Sequence, residues 1–457
     1  MTSESQTLPF ATLRRIFLVA LLVRLLFLAF SATDLEWLTL SDSKKYLRIA
    51  DAILVDGDWH NPARLPLYPM FLSLFFQWLP DFFVPPLIGQ ALMDSVTCLL
   101  IALLGREVSE KLFLPAAWLA VLNLNMIGHA SIILTDTLFL LLFSWHLLMA
   151  VRYLKVPTWG RAIALGIALG LSLLTRPVMM YFLPVVILLF LFVLVVRRTA
   201  WHSALMQGVV CLGLAMALIS PVLIHNKQTY GVASLSSQSG GTVLIWYVPL
   251  TMNYVDGVPW ESGVSQMKEK ARQRRLEQGY EEVPENPFTW SRIQIETAKE
   301  AFQNLGVWKM VYGWSVGGGI NIMSPSISSL PAVIGMERPR FYTTEGSHFG
   351  TKIWNFLTHP DNRLYLALMI PAILLTLLLR LLALMGAIAW LRGRGFDRWS
   401  LWYLVPAFGY ILAVTGPVVN ASRYRLPLEP TLIVMTAIGV LVVQEWYIRR
   451  RERGQTR

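Results

Sequence analysis

The sequence predicts an all-α polytopic membrane protein with about 10 transmembrane helices. Of its 457 residues, 55% are hydrophobic and only 15% are charged, so too few polar side chains are present to cover a soluble globule of this length. Ten apolar runs approach the roughly 20 residues that cross the hydrocarbon core of a bilayer. Short basic clusters at the ends of these runs match the bias of cytoplasmic loops toward Lys and Arg.

The ten apolar runs leave a long polar region between the seventh run and the eighth. A further apolar segment at 65–79 is short and bracketed by prolines. We expect it to lie along the outer interface or to re-enter the membrane from that side, because a crossing there would move the later arginine clusters to the outside. The predicted spans are 15–33, 84–104, 112–127, 132–152, 161–175, 177–196, 204–223, 364–391, 399–419 and 426–447.

With both termini in the cytoplasm, this arrangement keeps most Lys and Arg clusters inside and predicts three parts. Residues 1–224 form an N-terminal membrane module, whose first outer loop at 34–83 contains amphipathic interface helices. Residues 225–362 form an extracytoplasmic domain. Its turn signals and charged helical patterns predict an α or a mixed α/β fold. Residues 363–457 form a C-terminal membrane module.

Composition excludes several classes of function. The formal net charge of +11 suggests nucleic-acid binding, but the basic residues lie at the ends of apolar runs, where membrane orientation explains them. Cys98 and Cys211 both lie inside predicted spans, so the polar regions have no disulfide framework. The outward histidines lack ligand-type spacing, so no histidine zinc site is expected.

Acidic and basic side chains recur at the outer ends of the predicted helices. Asp42 begins the helix of the first outer loop, and Asp136 begins the fourth span. Each could be a simple helix N-cap. Four arginines lie on the same, outer side of the membrane. Lys and Arg are usually enriched on the cytoplasmic side, so arginines on the outer side favour a function over simple lipid anchoring. These arginines are Arg64, Arg176, Arg423 and Arg425.

Carboxylates and fixed guanidinium groups at one membrane face suit the transfer of a group from a lipid-linked phosphate to a hydroxyl. A carboxylate can orient and deprotonate the attacking hydroxyl as a general base. Guanidinium groups can hold the phosphate and stabilise the charge that grows on it as its bond to the sugar breaks.

This pattern resembles the GT-C superfamily of polyprenyl-phosphate-sugar-dependent glycosyltransferases. Within it, the glycosyltransferase family 39-like branch of lipid A aminoarabinose transferases and protein O-mannosyltransferases is most similar. Members often have an Asp-Glu pair at the first acidic site, where this chain has Asp42-Ser43. The motifs are Asp42 with Tyr46 and Ala50, Arg64-Leu65-Pro66-Leu67-Tyr68-Pro69, Thr135-Asp136-Thr137-Leu138-Phe139, Leu174-Thr175-Arg176-Pro177 and Arg423-Tyr424-Arg425-Leu426-Pro427.

The resemblance implies roles for individual residues. Asp42 would be the catalytic base, and Asp136 an orienting or auxiliary acid. Arg64, Arg176, Arg423 and Arg425 would bind the donor phosphate, while Tyr46, Tyr68 and Tyr424 would line the substrate cavity. Arginines suffice for a monophosphate carrier, so no cofactor is expected to be required; a Mg²⁺ or Mn²⁺ ion on Asp42 and Asp136 is the alternative.

The sequence thus predicts a multi-pass inner-membrane enzyme whose active site faces the periplasm. It would move a sugar from an undecaprenyl phosphate carrier to a glycan, lipid or protein hydroxyl, and the resemblance implies inversion at the anomeric carbon. One alternative is a glycan polymerase or ligase with a diphosphate-linked donor. A transporter is the other, and it would show repeated halves and mid-bilayer charges. Arg24 and Arg380 do lie well inside apolar runs, where snorkelling toward helix ends accounts for them.

Overall fold

The computed structural model describes residues 10–31, 41–78, 83–196, 201–325, 339, 341–393, 395–418 and 423–455. Within these residues the chain is helical, without a β-strand, so the described part of 225–362 is α rather than mixed α/β. Residues 34–40 and 79–82 of the predicted first outer loop lie outside the described residues.

The helices are numbered here in chain order. They are α1 (Phe10–Ser31), α2 (Ser41–Asp56), α3 (Leu67–Phe76), α4 (Val84–Val108), α5 (Phe113–Val121), α6 (Leu124–Ala130), α7 (Asp136–Lys155), α8 (Trp159–Leu173), α9 (Leu183–Val196), α10 (Trp201–Tyr230), α11 (Gln238–Thr242), α12 (Val248–Asp256), α13 (Trp260–Glu277), α14 (Pro287–Leu305), α15 (Val307–Met323), α16 (Phe349–Thr358), α17 (Arg363–Leu391), α18 (Leu401–Thr415) and α19 (Glu429–Gln455). Short 3₁₀ turns at Pro177–Phe182 and Arg423–Leu428 and a π-helical turn at Val243–Tyr247 join neighbouring helices.

All ten predicted spans coincide with helices, although fewer of these helices are long and apolar enough to cross a bilayer alone. Among the described residues six meet that requirement, and a seventh arises if the bent pair α5 and α6 is one span. Helices α8 and α18 have only 15 residues each. The six are Val84–Val108, Asp136–Lys155, Pro177–Val195, Trp201–Tyr230, Met369–Leu391 and Arg423–Arg453.

The bend of 49° between α5 and α6 is stabilised from both sides. The side chain of Asn123 accepts hydrogen bonds from the first amides of α6. Arg24 of α1 donates to the carbonyl oxygens of Ala120 and Val121 at 3.1 and 2.6 Å, and so satisfies acceptors that the end of α5 leaves free.

Arg24 and Arg380 do not snorkel, contrary to the sequence-based expectation. Arg24 is 1% exposed and pairs with Asp94, at 2.8 Å from Nε to Oδ2. Arg380 donates from Nε to the carbonyl oxygen of Ile322 at 3.0 Å. Both side chains therefore join helices of the protein, which removes the observation that most suggested a transport path.

Helices α17 and α19 pack at glycine positions. A Cβ added to Gly386 would lie 1.8 Å from the carbonyl oxygen of Met435, and one added to Gly439 would lie 2.0 Å from that of Leu382. Such close backbone contact is typical of small residues at membrane helix interfaces. It fixes α19 and, with it, the Arg423–Leu428 turn that precedes the helix.

Helix α2 is the amphipathic helix predicted for the first outer loop. Tyr46, Ile49 and Ala50 are buried on one face, and Lys44 and Lys45 are exposed on the other. Its first turn contains Asp42, where a carboxylate interacts favourably with the helix dipole.

In the 225–362 region, α12–α14 enclose a small core of Leu244, Val248, Met267, Ala271 and Ala298. Helix α11 is held against α14, because the amide of Gly240 donates to Oγ of Ser291 at 3.0 Å. A side chain at Gly240 would collide with the Ser291 backbone. This contact positions α11 and the π-helical turn after it.

Candidate active site

One cavity of about 420 Å³ gathers most of the predicted site residues. Its walls come from α2, the turn before α3, the start of α7, the 3₁₀ turns at Pro177–Phe182 and Arg423–Leu428, the 238–247 segment and α18. The lining residues are Asp42, Tyr46, Arg64, Leu65, Thr135, Phe139, Thr175, Arg176, Pro177, Val178, Tyr181, Gln238, Ser239, Thr242, Val243, Tyr247, Ile411, Val414, Thr415, Arg423, Tyr424 and Pro427.

Asp42 is the accessible carboxylate of the cavity. Its side chain is 33% exposed. Oδ1 lies 3.0 Å from Nη2 of Arg64 and 3.5 Å from Nζ of Lys45, and Oδ2 lies 3.5 Å from Nη1 of Arg423. Partial burial acts to raise the pKa of Asp42, but attraction to Arg423, Arg64 and Lys45 outweighs it and lowers the pKa. The carboxylate is thus ionised at neutral pH.

Asp136 lies behind the cavity wall rather than on it. Its side chain is fully buried; Oδ1 accepts from Nη1 of Arg176 at 2.7 Å and Oδ2 from Nε of Arg423 at 3.0 Å. These contacts, rather than a helix cap, describe its role. Asp136 holds two guanidinium groups in position.

Arg423 joins the two carboxylates. One edge of its guanidinium group faces Asp136 and another faces Asp42, 381 residues away in the chain. A planar group with several fixed donors suits this bridging position. Arg423 therefore binds together the start of α7, the start of α2 and the turn before α19.

Arg64 and Arg176 complete the cationic part of the cavity. Asn61 accepts hydrogen bonds from the amides of Ala63 and Arg64, both at 3.0 Å, and shapes the turn that presents Arg64. The buried Nε of Arg64 makes no hydrogen bond within the described residues. The amide of Leu67 donates to the carbonyl oxygen of Leu174 at 3.3 Å, which holds this turn beside the segment that contains Arg176.

Tyrosine and phenylalanine rings support these arginines. The guanidinium carbon of Arg64 lies 5.8 Å from the ring centroid of Tyr46, and that of Arg176 lies 5.4 Å from the ring centroid of Phe139. Burial raises the pKa of Tyr46, so its hydroxyl remains neutral. Tyr46 and Tyr424 both line the cavity as predicted.

Arg425 and Tyr68 do not occupy the places predicted for them. Arg425 is fully buried, pairs with Glu429 at 2.7 Å and donates to the carbonyl oxygen of Ser324, so it is a structural residue and not part of the cavity. Tyr68 is also fully buried; its hydroxyl donates to Oε1 of Gln90 at 2.6 Å, and its ring packs edge-on against Tyr46. It supports the lining residue rather than contacting the cavity itself.

Several lining residues were missed in the sequence. Tyr181 follows Arg176 on the 3₁₀ turn, while Gln238, Ser239 and Thr242 come from α11. The turn signal at Gly240-Gly241 was visible in the sequence, but nothing in it related that turn to Asp42.

The carboxylates are poorly suited to a divalent metal ion. Throughout the described ranges, no group of three or more His, Cys, Asp or Glu side chains is arranged to hold a metal. Each carboxylate oxygen of Asp42 and Asp136 already faces an arginine or lysine. A metal ion bridging them would have to displace Arg423.

Comparisons with known proteins concern the family and the fold. Residues 60–225 match the sequence family described as dolichyl-phosphate-mannose-protein mannosyltransferase. The archaeal oligosaccharyltransferase AglB from Archaeoglobus fulgidus, solved with an inhibitory peptide and a dolichol-phosphate, aligns with 97% of this chain at 13% identity and a TM-score of 0.50. The alignment covers 52% of AglB, so this chain spans about half the length of that protein.

A second solved structure, ArnT from Cupriavidus metallidurans bound to undecaprenyl phosphate, aligns with 95% of this chain and 78% of its own, at 16% identity and a TM-score of 0.36. No curated protein matches the chain in sequence. At these identities the structural likeness concerns the fold alone. The match of residues 60–225 to a mannosyltransferase family and the fold similarity to AglB agree with the resemblance predicted from the motifs.

Proposed function

We propose that the protein transfers a sugar from a polyprenyl-phosphate carrier to an acceptor hydroxyl, at the periplasmic face of a bacterial inner membrane. The observation that carries this proposal is the position of Arg423, which contacts Asp42 and Asp136 at once. It brings an accessible carboxylate and three guanidinium groups into one cavity between membrane helices and the 225–362 region.

The charges around the cavity favour a phosphodiester. The ion-pair cluster contains the guanidinium groups of Arg64, Arg176 and Arg423. Their three positive charges meet the two negative charges of the Asp42 and Asp136 carboxylates, which leaves a net charge of +1 when the exposed Lys45 is not counted. A sugar linked to a lipid through one phosphate has one negative charge and would balance the cluster. A diphosphate-linked donor would leave an excess negative charge, so the polymerase or ligase alternative fits less well.

The other walls suit the lipid part of such a donor. Val178, Ile411, Val414 and Pro427 give the cavity an apolar side, next to Tyr181, which is 57% exposed. The two 3₁₀ turns and α18, which supply these residues, belong to the predicted membrane modules. An isoprenoid chain could therefore leave the cavity toward the bilayer while the phosphate stays among the arginines.

Asp42 would act as the base. The acceptor hydroxyl attacks the anomeric carbon and gives its proton to the Asp42 carboxylate. The bond between the anomeric carbon and the phosphate oxygen breaks, and its electron pair goes to the phosphate, which the arginines hold. A single displacement of this kind inverts the anomeric centre.

Donor binding would make Asp42 a stronger base. In the structure its pKa is lowered by Arg423, Arg64 and Lys45, and a carboxylate of low pKa is a weak proton acceptor. A bound phosphate would share the two guanidinium groups and add a negative charge nearby, and both effects raise the pKa of Asp42. The base would then reach its full strength only when the donor is in place.

Replacing Asp42 by Asn tests the proposal. We expect Asp42→Asn to lower transfer by about 10²- to 10⁴-fold, because the base is lost while the arginines remain. Transfer is measured as the release of free undecaprenyl phosphate from undecaprenyl-phosphate glucose and mannose, with membranes of a deletion strain as the source of acceptor. Binding of undecaprenyl phosphate itself should remain.

Asp51→Asn is the matched control, because Asp51 lies exposed on the same helix and should leave turnover unchanged. Near-wild-type transfer by Asp42→Asn would contradict the assignment of the base. Movement of intact donor across vesicles without release of undecaprenyl phosphate would support a transporter instead.

A further inference from the structure

The 238–247 segment is the part of the cavity that the 225–362 region contributes. It comprises α11 and the π-helical turn after it, and it places Gln238, Ser239 and Thr242 in the cavity wall. One extra residue in a helical turn re-aims the side chains around it, and such turns are frequent at functional sites.

These three residues enter the cavity beside Arg64. The amide and the hydroxyl of Ser237 both donate to the carbonyl oxygen of Pro62, at 2.7 and 3.0 Å. Ser236 donates from its hydroxyl to the carbonyl oxygen of Ala63 at 3.2 Å. The segment is therefore joined to the turn that presents Arg64, while Gly240 joins it to α14 on its other side.

Their hydrogen-bonding groups are available. Within the described residues the side chains of Gln238 and Ser239 make no hydrogen bond to the protein. The hydroxyl of Thr242 donates to the carbonyl oxygen of Gln238, but its oxygen can still accept a hydrogen bond. The three side chains together offer an amide with both donor and acceptor and two hydroxyl oxygens. These are the groups that recognise the hydroxyls of a carbohydrate.

The wall is also uncharged. Of the residues that line the cavity, the charged ones are Asp42, Arg64, Arg176 and Arg423, and each already takes part in the ion-pair cluster. Among the described lining residues the carboxylate is Asp42, so an ammonium group on the sugar would have to compete with Arg64 and Arg423 for it. A carboxylate on the sugar would compete with the donor phosphate for the same arginines.

We propose that Gln238, Ser239 and Thr242 bind the sugar of the donor and select an uncharged sugar over an amino sugar or a uronic acid. This inference rests on the proposed transferase function and names the class of sugar that it uses. In this proposal the arginine cluster binds the phosphate, and Gln238, Ser239 and Thr242 contact the sugar ring attached to it.

The test compares undecaprenyl-phosphate donors that carry glucose or mannose, 4-amino-4-deoxyarabinose or glucuronic acid. For the wild-type protein we expect kcat/KM for a neutral donor to exceed that for each charged donor by about tenfold or more, since a single unpaired polar contact can account for that factor. Gln238→Glu places a carboxylate in the wall. It should raise the ratio of kcat/KM for the amino sugar to that for the neutral sugar by about tenfold.

Ser239→Asp places a carboxylate one residue further on and should shift the ratio in the same direction, which covers the case in which Gln238→Glu does not fold. Gln303→Glu is the matched control, because Gln303 is exposed on α14 outside the cavity. In this variant the ratio of kcat/KM for the amino sugar to that for the neutral sugar should stay at the wild-type value.

Wild-type turnover that is equal or faster with the amino sugar, or a ratio that neither acidic variant changes, would overturn the inference and leave the transferase proposal standing. Failure of the wild-type protein to release undecaprenyl phosphate from any of these donors would contradict the transferase proposal itself.

Discussion

At the residue scale, the position of Arg423 decides what the cavity can do. Its guanidinium group lies between a fully buried carboxylate, Asp136, and a partly exposed one, Asp42. The buried partner fixes the geometry of the guanidinium group, and the exposed partner can exchange its contact for that with a substrate. Arg423 is thus part of the scaffold and also lines the cavity that would receive the phosphate.

Arg423→Lys should separate these two roles. A lysine ammonium keeps the charge but cannot span two carboxylates, so we expect kcat/KM to fall by about 10²-fold, in the range seen when one stabilising donor is lost. Steady-state kinetics with an undecaprenyl-phosphate hexose measures this loss. Arg48→Lys, at an exposed position on α2, is the control, and equal activities of the two variants would contradict the role of Arg423.

The pH dependence of the reaction should follow Asp42. Its pKa is lowered, so the carboxylate is ionised at neutral pH, and kcat/KM should be flat there and fall only in acid, below the usual pKa range of an aspartate. Lys45→Ala removes one of the cations that lower this pKa, so the acid limb should move to higher pH. A profile recorded from pH 3 to about 8 tests both statements, and a limb that moves to lower pH in Lys45→Ala would contradict them.

Much of the residue-level site was predictable because outward arginines are unusual in membrane proteins. Asp42, Asp136, Arg64, Arg176 and Arg423 do meet in space. Arg425 was assigned wrongly because it shares a 3₁₀ turn with Arg423, and residues two apart on such a turn point in different directions. Sequence spacing alone does not tell which of the two faces the cavity.

At the element scale, the bend between α5 and α6 depends on a buried ion pair in the membrane module. Arg24 pairs with Asp94 and also donates to carbonyl oxygens at the end of α5. The run at 112–127 was predicted as one continuous span, and the break at Asn123 was missed. Asp94 was missed as its partner, because a single carboxylate in a long apolar run has no spacing signal that relates it to α1.

Arg24→Ala should destabilise the protein strongly. The change leaves Asp94 buried without its partner and leaves two carbonyl groups of α5 without a donor, which we expect to lower the free energy of unfolding by about 3–5 kcal/mol. Thermal unfolding in detergent measures the effect. Arg15→Ala, at an exposed position of the same helix, should change little. The double variant Arg24→Leu/Asp94→Leu should recover part of the loss, and equal melting temperatures for Arg24→Ala and wild type would contradict this account.

At the scale of the whole molecule, the cavity exists only because distant helices pack in one arrangement. Asp42 and Arg423 are 381 residues apart, and no local segment contains both. The fold class and the ten helical segments followed from apolar length, whereas the wall formed by 238–247 did not. That wall depends on tertiary contacts such as Gly240 against Ser291, which leave no periodic pattern in the sequence.

Gly439→Leu tests this dependence from outside the cavity. A side chain there would meet the backbone of Leu382, so α19 must move away from α17 and carry Arg423 with it. We expect a lower melting temperature and a loss of transfer of about tenfold or more, because small displacements of catalytic groups are costly. Gly213→Leu, in a membrane helix where an added Cβ meets nothing within 4 Å, is the control. Full activity of Gly439→Leu would show that the α17–α19 contact does not position the site.

The anchoring of Arg176 and Arg423 by the buried Asp136 also bears on what happens after the sugar has left. In the proposed reaction a phosphodiester becomes a phosphomonoester, whose second ionisation near pH 6 adds negative charge at neutral pH. The spent lipid would then carry more negative charge than the fixed cations balance, which favours its release. The charge balance that favours a phosphodiester donor would therefore also help to clear the cavity for the next donor.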